Sequence, residues 1–208
     1  MKDDVIIRAY VTNLGMYNEG YFVGEWVDFP INHEGIGVKQ VLDEMLCRIG
    51  IDNVHYEEYF ITDYDCEIKG LSDCFGEYEN LLLLHYLACK IKEIENKELF
   101  ESMIAHGEMT GSVTELINLA ANEESFYFMP EVENDYDLGY EYAKNSGLFT
   151  EALDSLGMLA NYIDYESYGR DIRFIEGGQH TKNGYISLTD AIQIVFDSST
   201  DNVPSAYL

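Results

Sequence analysis

Positive charge is what this sequence has least of: 12 Lys and Arg stand against 39 Asp and Glu in 208 residues, a net charge of -27. Phosphate backbones are bound by Lys and Arg, so this balance argues against direct nucleic-acid binding and against a nuclease. Proline is scarce, at 3, and the four cysteines at Cys47, Cys66, Cys74 and Cys89 form no CxxC pair. They are too sparse for a disulfide framework, and reduced thiols in a cytosolic protein are expected. No window approaches the roughly 18 uninterrupted apolar residues of a membrane span. Met1-Lys2-Asp3-Asp4 lacks the basic-then-apolar build of a secretory signal. No GxxxxGK[ST] loop, GxGxxG turn, GxSxG elbow or HExxH helix occurs, so neither an enzyme nor a cofactor is expected.

Acidity and apolar residues are abundant together. Polyacidic chains are usually disordered because little hydrophobic burial offsets the entropy of ordering. Here 47% of residues are hydrophobic, with 17 Tyr and 10 Phe, so the chain should fold. Cuts at residues 70 and 130 give segment nets of -9, -8 and -10, so the charge is spread along the whole chain. Self-repulsion of this kind opposes compaction. A folded polyanion looks like nucleic acid to a protein that binds nucleic acid. At one charge per about 1.7 Å of duplex, the excess matches roughly 46 Å of B-DNA, or about 13 base pairs. Small domains in a row would fit that length better than one globule with a radius of gyration of about 17 Å.

The pattern predicts an α+β chain. Residues 5–12 and Tyr21–Phe29 read as strands around a turn-rich loop, 38–49 as a helix, and Tyr56–Thr62 as a third strand. Helices are expected over Tyr78–Ile94, Asn96–Ala105 and Ser112–Ala121, the last with Ser112 and Glu115 as a capping box. Phe126–Met129 reads as a strand, Asp135–Asn145 as a helix closed by Gly147, and 150–162 as another helix. Strands near Asp171–Glu176 and Tyr185–Leu188 would flank a Gly177-Gly178 turn, and the tail after Asp197 should be loose. The expected division is 1–69, a three-stranded sheet plus helix; 70–124, a helical middle; and 125–208, an α+β end. Three small domains in a row, an elongated molecule, could span the duplex length that the charge matches.

Candidate chemistry is weak. His85 and Cys89 have metal-ligand spacing on a helix but apolar neighbours, which favours core packing. Asp63, Asp65 and Glu67 alternate like a cation site without the register of a calcium loop, which favours a solvated edge. Gly169-Arg170-Asp171 reads as a turn with a local salt bridge. The Tyr-rich stretches, with Tyr136, Tyr140, Tyr162, Tyr165 and Tyr168, read as interface anchors or half-buried packing.

Two regions resemble a known family. Tyr10-Val11-Thr12-Asn13-Leu14-Gly15-Met16-Tyr17-Asn18-Glu19-Gly20, continuing to Gly24-Glu25-Trp26 and Phe29-Pro30-Ile31, is similar to the opening of ArdA-type antirestriction proteins. Glu57-Glu58-Tyr59-Phe60-Ile61-Thr62-Asp63-Tyr64 resembles the strand that follows in that family. Leu159–Asp171, with Asn161-Tyr162-Ile163-Asp164-Tyr165 and Tyr168-Gly169-Arg170-Asp171, resembles its antirestriction motif; residues 70–124 match in acidity and helix content alone. The resemblance implies a three-domain DNA mimic, dimeric through its C-terminal domain, that occupies the groove of type I restriction–modification enzymes in the bacterial cytoplasm. It would place Asn161, Tyr162, Asp164, Tyr165, Tyr168, Gly169, Arg170 and Asp171 at or near the dimer contact.

Under that expectation Glu93, Glu95, Glu98, Glu101, Asp135, Asp137 and Glu141 are the candidate mimic surface. Glu98 and Glu101, and Asp137 and Glu141, are like-charge pairs at helical spacing, which cost a helix a few tenths of a kcal/mol. No bond is broken in this reading, and no nucleic acid, membrane or metal is bound. The alternatives are an acidic module binding a host partner through its Tyr-rich face, an inhibitor of another DNA-binding defence system, and a carboxylate-based hydrolase.

Overall fold

A computed structural model describes residues 5–32, 35–52, 54–145, 155–200 and 202–208. Alternation dictates the first sheet. In β1 (Ile7–Asn13) the side chains of Ile7, Ala9 and Val11 point one way and are fully buried. β1 is the central strand, paired antiparallel with β2 (Gly24–Phe29) and β3 (Tyr59–Cys66) in the order β2-β1-β3. Ile7 lies opposite Phe29 and Cys66, and the register with β3 shifts between Tyr10 and Val11. Such a bulge increases local twist. On the opposite face Arg8 donates to Asp28 at 2.8 Å, lies 3.6 Å from Asp65, and covers the Trp26 ring. The Asp63/Asp65/Glu67 edge is therefore committed partly to ion pairs: Asp65 to Arg8, and Glu67 to Lys97 at 2.6 Å.

The turn-rich loop predicted over 13–20 contains a helix, α1 (Leu14–Asn18). Asn13 explains it: the buried side chain accepts the Met16 N–H and donates to the Ile49 carbonyl, so one Asn caps the helix and ties it down. α2 (Val38–Arg48) buries Val38, Leu42 and Met45, the stripe its spacing predicts. The third strand starts at Tyr59 rather than Tyr56, because Asp52 accepts the Val54, His55 and Tyr56 N–H groups and holds that segment as a turn. These donors hold the Asp52 carboxyl well below its ordinary pKa.

α3 (Leu81–Glu93), α4 (Lys97–His106) and α5 (Val113–Ala120) fall within a turn of their predicted spans. Ser112 caps α5 by accepting the Glu115 N–H, and Glu115 reaches back to the Gly111 N–H, one residue beyond the expected box. The described residues form two compact units: Met1–Lys97 with Met109–Ala121 and Gln193–Leu208, and Glu98–Glu108 with Asn122–Ile192. The helical middle is thus shared, with α3 and α5 in the first unit and all but the first residue of α4 in the second.

The tail after Asp197, expected to be loose, is held within the first unit: Thr114 donates to Ser198 at 2.7 Å and the Val38 N–H donates to the Leu208 carbonyl at 3.3 Å. Asn118, buried in α5, accepts the Val195 and Phe196 N–H groups and donates to the Phe196 carbonyl. His85 takes the Ile31 N–H on Nδ1 at 3.0 Å, and its Nε2 meets the Tyr207 carbonyl at 2.7 Å. The neutral Nε2–H tautomer satisfies both. Cys89 lies 3.5 Å from that nitrogen, so the His85/Cys89 pair serves packing.

In the second unit β4 (Phe126–Met129) and β5 (Gln179–Thr181) flank β6 (Gly184–Leu188), all antiparallel, in the order β4-β6-β5. α6 (Asp135–Asn145) packs on α7 (Tyr165–Glu176). Val132, Leu138, Ile172 and Tyr185 form the core beneath them. The strand predicted near Asp171–Glu176 is the last half of α7. Gly177, at φ +62°, caps that helix instead of joining two strands. Of the helix predicted over 150–162, Gly157–Tyr162 is 3₁₀ and much of the rest, with Gly147, lies outside the described residues. Among the described residues no helix is long and apolar enough to cross a membrane, and no group of His, Cys, Asp and Glu could hold a metal.

Candidate functional site

The C-terminal motif folds around a close helix crossing. Asp164 caps α7 by accepting the Ser167 N–H, which holds its carboxyl below the usual range. Five residues on, Gly169 faces Gly139 of α6. A Cβ on Gly169 would lie 1.8 Å from the Asp135 carbonyl, and one on Gly139 would lie 2.0 Å from that of Tyr165. Only glycine lets the two backbones approach this closely. Gly169-Arg170-Asp171 is therefore helix interior, not the predicted turn, and Arg170 donates to Ser167 rather than to Asp171.

That crossing sorts the tyrosines. Tyr165 is buried with the Tyr136 and Tyr140 rings edge-on to it at 5.6 and 5.5 Å. Tyr162 is 85% exposed, and Tyr168 lies at the margin of exposure. Met158, Leu159, Phe174 and Ile175 also present apolar surface to solvent. Arg170 and Asp171 are exposed, while the Asn161 side chain lies outside the described residues. The motif thus divides into buried Tyr165 and Gly169, the capping Asp164, and outward Tyr162, Arg170 and Asp171.

The candidate mimic carboxylates divide as well. Glu93 and Glu95 belong to the first unit; Glu98, Glu101, Asp135, Asp137 and Glu141 belong to the second. Glu95 and Glu98 are exposed. Glu93 is exposed but accepts from Lys90 and Tyr207, and the two donors lower its pKa. Glu101 is half-buried and accepts from Asn183 at 3.0 Å. Asp137 accepts the Glu133 N–H beside the α6 N-terminus, and Glu141 lies 3.7 Å from Lys144.

Asp135 is the most engaged of the seven. Its Oδ1 accepts from Arg173 Nε at 2.7 Å and lies 2.8 Å from His180 Nε2, while Oδ2 accepts from Arg173 at 3.1 Å. The Arg173 bonds hold its carboxyl at a pKa of about 2. Three residues on from Arg173, Glu176 accepts hydrogen bonds from the Tyr142 and Tyr185 hydroxyls, both raised in pKa by burial first and by that acceptor second. These carboxylates hold the helices and the sheet together.

Sequence reasoning missed this anchoring pair and the role of Gly139. The available signal was Gly139 inside the predicted helix 135–145, where a glycine is otherwise a liability of about 1 kcal/mol; Gly169 gave none, because its segment reads as a turn. Carboxylates not singled out beforehand, among them Glu57, Glu58, Asp73, Glu77, Glu131 and Glu133, are exposed. The arrangement offers exposed charge and aromatic surface.

No curated protein matches this chain. Residues 9–187 match the family model described as Antirestriction protein (ArdA), a span that takes in the N-terminal sheet, the helical middle and the C-terminal motif. The chain belongs to the ArdA antirestriction protein family.

Proposed function

We propose that this protein is a DNA mimic that occupies the DNA-binding groove of type I restriction–modification enzymes and shields incoming DNA from them. One observation carries the reading: a net charge of -27 on a folded scaffold in which Arg8, Arg48, Lys97 and Arg173 are each paired with a neighbouring carboxylate. A groove lined with Lys and Arg binds phosphates with release of counterions. Carboxylates held on helices and strands offer that groove similar charge already ordered, so little is lost on binding. Their summed field also speeds encounter at low salt. The protein acts by binding alone, in the cytoplasm of a bacterial host.

An elongated row of three small domains, paired into a homodimer, is part of this proposal. The exposed Tyr162, Met158, Leu159, Phe174 and Ile175, with Arg170 and Asp171 of opposite charge nearby in sequence, suit a self-complementary interface. Small-angle scattering and light scattering test shape and mass together.

The deciding experiment is competition: purified protein against a labelled duplex for a type I restriction enzyme. Displacement that weakens steeply as salt rises supports the reading. A failure to displace duplex, with the enzyme active, refutes it. A second reading, an interaction module anchored through exposed Tyr136, Tyr140 and Tyr162, requires binding that salt barely affects.

A further inference from the structure

The N-terminal unit carries an aromatic tip that the charge-based reading does not use. Phe22 is 81% exposed and Tyr21 64% exposed, in a loop whose two ends are held by the backbone. Tyr21 N–H donates to the Met16 carbonyl and Asn13 N–H to the Val23 carbonyl, both at 2.9 Å. The rings form a stack into the core: Phe22 meets Tyr17 edge-on at 5.4 Å, and Tyr17 meets buried Phe60 at 5.0 Å. The exposed ring is thus held in place, and little conformational entropy remains to be lost when it is covered.

The surroundings define what covers it. Glu19 accepts the Tyr56 hydroxyl at 3.0 Å, Asp52 caps the turn leading into Tyr56, and the Glu58 carbonyl accepts the Leu14 N–H at the base of α1. Glu19, Asp52, Glu57 and Glu58, on or next to the segments these bonds tie together, are exposed. A second copy would bring four like charges against four, which costs both copies. A basic protein surface meets no such penalty.

We infer that Tyr21 and Phe22 are an anchor that enters an apolar cleft in the basic, DNA-binding face of the partner protein, with Glu19, Asp52, Glu57 and Glu58 as its acidic rim. This rests on the DNA-mimic reading and adds to it a contact that no phosphate backbone makes. Aromatic side chains buried at the centre of an interface, inside a polar rim, carry a disproportionate share of binding.

The test uses a type I modification methyltransferase, its fluorescein-labelled duplex, and the full-length protein as competitor. The Tyr21→Ala/Phe22→Ala variant should compete about tenfold more weakly with an unchanged salt slope, because apolar contact is lost and charge is not. Phe22→Asp, which adds charge of the mimic's own sign, should weaken competition at least as much. Glu57→Gln/Glu58→Gln should reduce the salt slope instead. Both aromatic variants should stay folded with a cooperative thermal transition, since they lose the edge-on contact of Phe22 with Tyr17 and no buried ring. If wild type displaces duplex and the aromatic variants do so equally well, the anchor is refuted and the mimic reading stands. If wild type displaces nothing, both fall. A change in molecular mass by light scattering on losing the two rings would assign the tip to self-association and also overturn the inference.

Discussion

At Asp135 a chain with carboxylates in excess spends one on its own architecture. Arg173 and His180 bind it from the neighbouring helix and strand, and its side chain is only 19% exposed. Asp135→Asn should cost about 2 kcal/mol at neutral pH, because Arg173 is left half-buried with a neutral partner. Chemical denaturation by urea measures it. The pH dependence has a definite sign. The folded pKa, about 2, lies below the unfolded value of about 3.9, so the pair's stability is complete above pH 4. It is lost as pH falls toward 2, so the gap between wild type and Asp135→Asn should close over that window. Comparing the two proteins cancels the general relief of repulsion that acid brings to so acidic a molecule. A gap independent of pH would show that the Arg173 contact is not the source.

Two joints between elements carry predictions of their own. The α6–α7 crossing relies on Gly139 and Gly169, where an added methyl would meet backbone rather than a movable side chain. Gly169→Ala should therefore destabilise by about 3 kcal/mol or prevent folding of the second unit, read by circular dichroism and urea midpoint. Gly157, at φ +54° with open space around it, is a useful contrast, since any cost there comes from the backbone conformation alone. The second joint is His85, which closes the C-terminal segment onto α3 through the Tyr207 carbonyl. Burial lowers its pKa, so its contribution is whole above the unfolded value of about 6.5 and declines as pH drops below that. His85→Ala should expose residues 202–208 to proteolysis at neutral pH, and wild type should follow at mildly acidic pH. Equal protease resistance in both would place the hold elsewhere, in the Asn118 contacts to Val195 and Phe196.

For the whole molecule, the relevant property is a sum. Each exposed carboxylate contributes a small, screened share of the field, so single changes such as Glu98→Gln should shift competition with duplex less than twofold. Neutralising Glu93, Glu95, Glu98 and Glu101 together should weaken it by an order of magnitude and flatten its salt dependence. One carboxylate whose loss alone abolishes inhibition in a folded protein would refute a distributed mechanism. Replacing Tyr162 or Arg170, both outward on the second unit, should lower the molecular mass in solution before it lowers affinity for the enzyme.

Linear order alone determined the charge, the family and most of the elements, though not α1, α7 or β5. Each is a local or additive quantity: net charge is a count, strands and helices follow alternation and 3.6-residue spacing, and family motifs are contiguous runs. The reading failed where the answer depended on distant partners. Asp171–Glu176 looked like strand because Ile172, Phe174 and their neighbours alternate, yet capping by Asp164 and packing on α6 make it helix. The tail looked loose because its residues are polar and small, but His85, 122 residues from Tyr207, and Thr114, 84 residues from Ser198, hold it. Tertiary structure also decided which carboxylates are available as surface. Glu95 and Glu98 stand in solvent, whereas Asp135 and Glu176 are bound to cations or tyrosines brought beside them by folding. An acidic residue's charge belongs to its side chain, but whether that charge faces outward or is matched internally depends on what the fold places within hydrogen-bond reach.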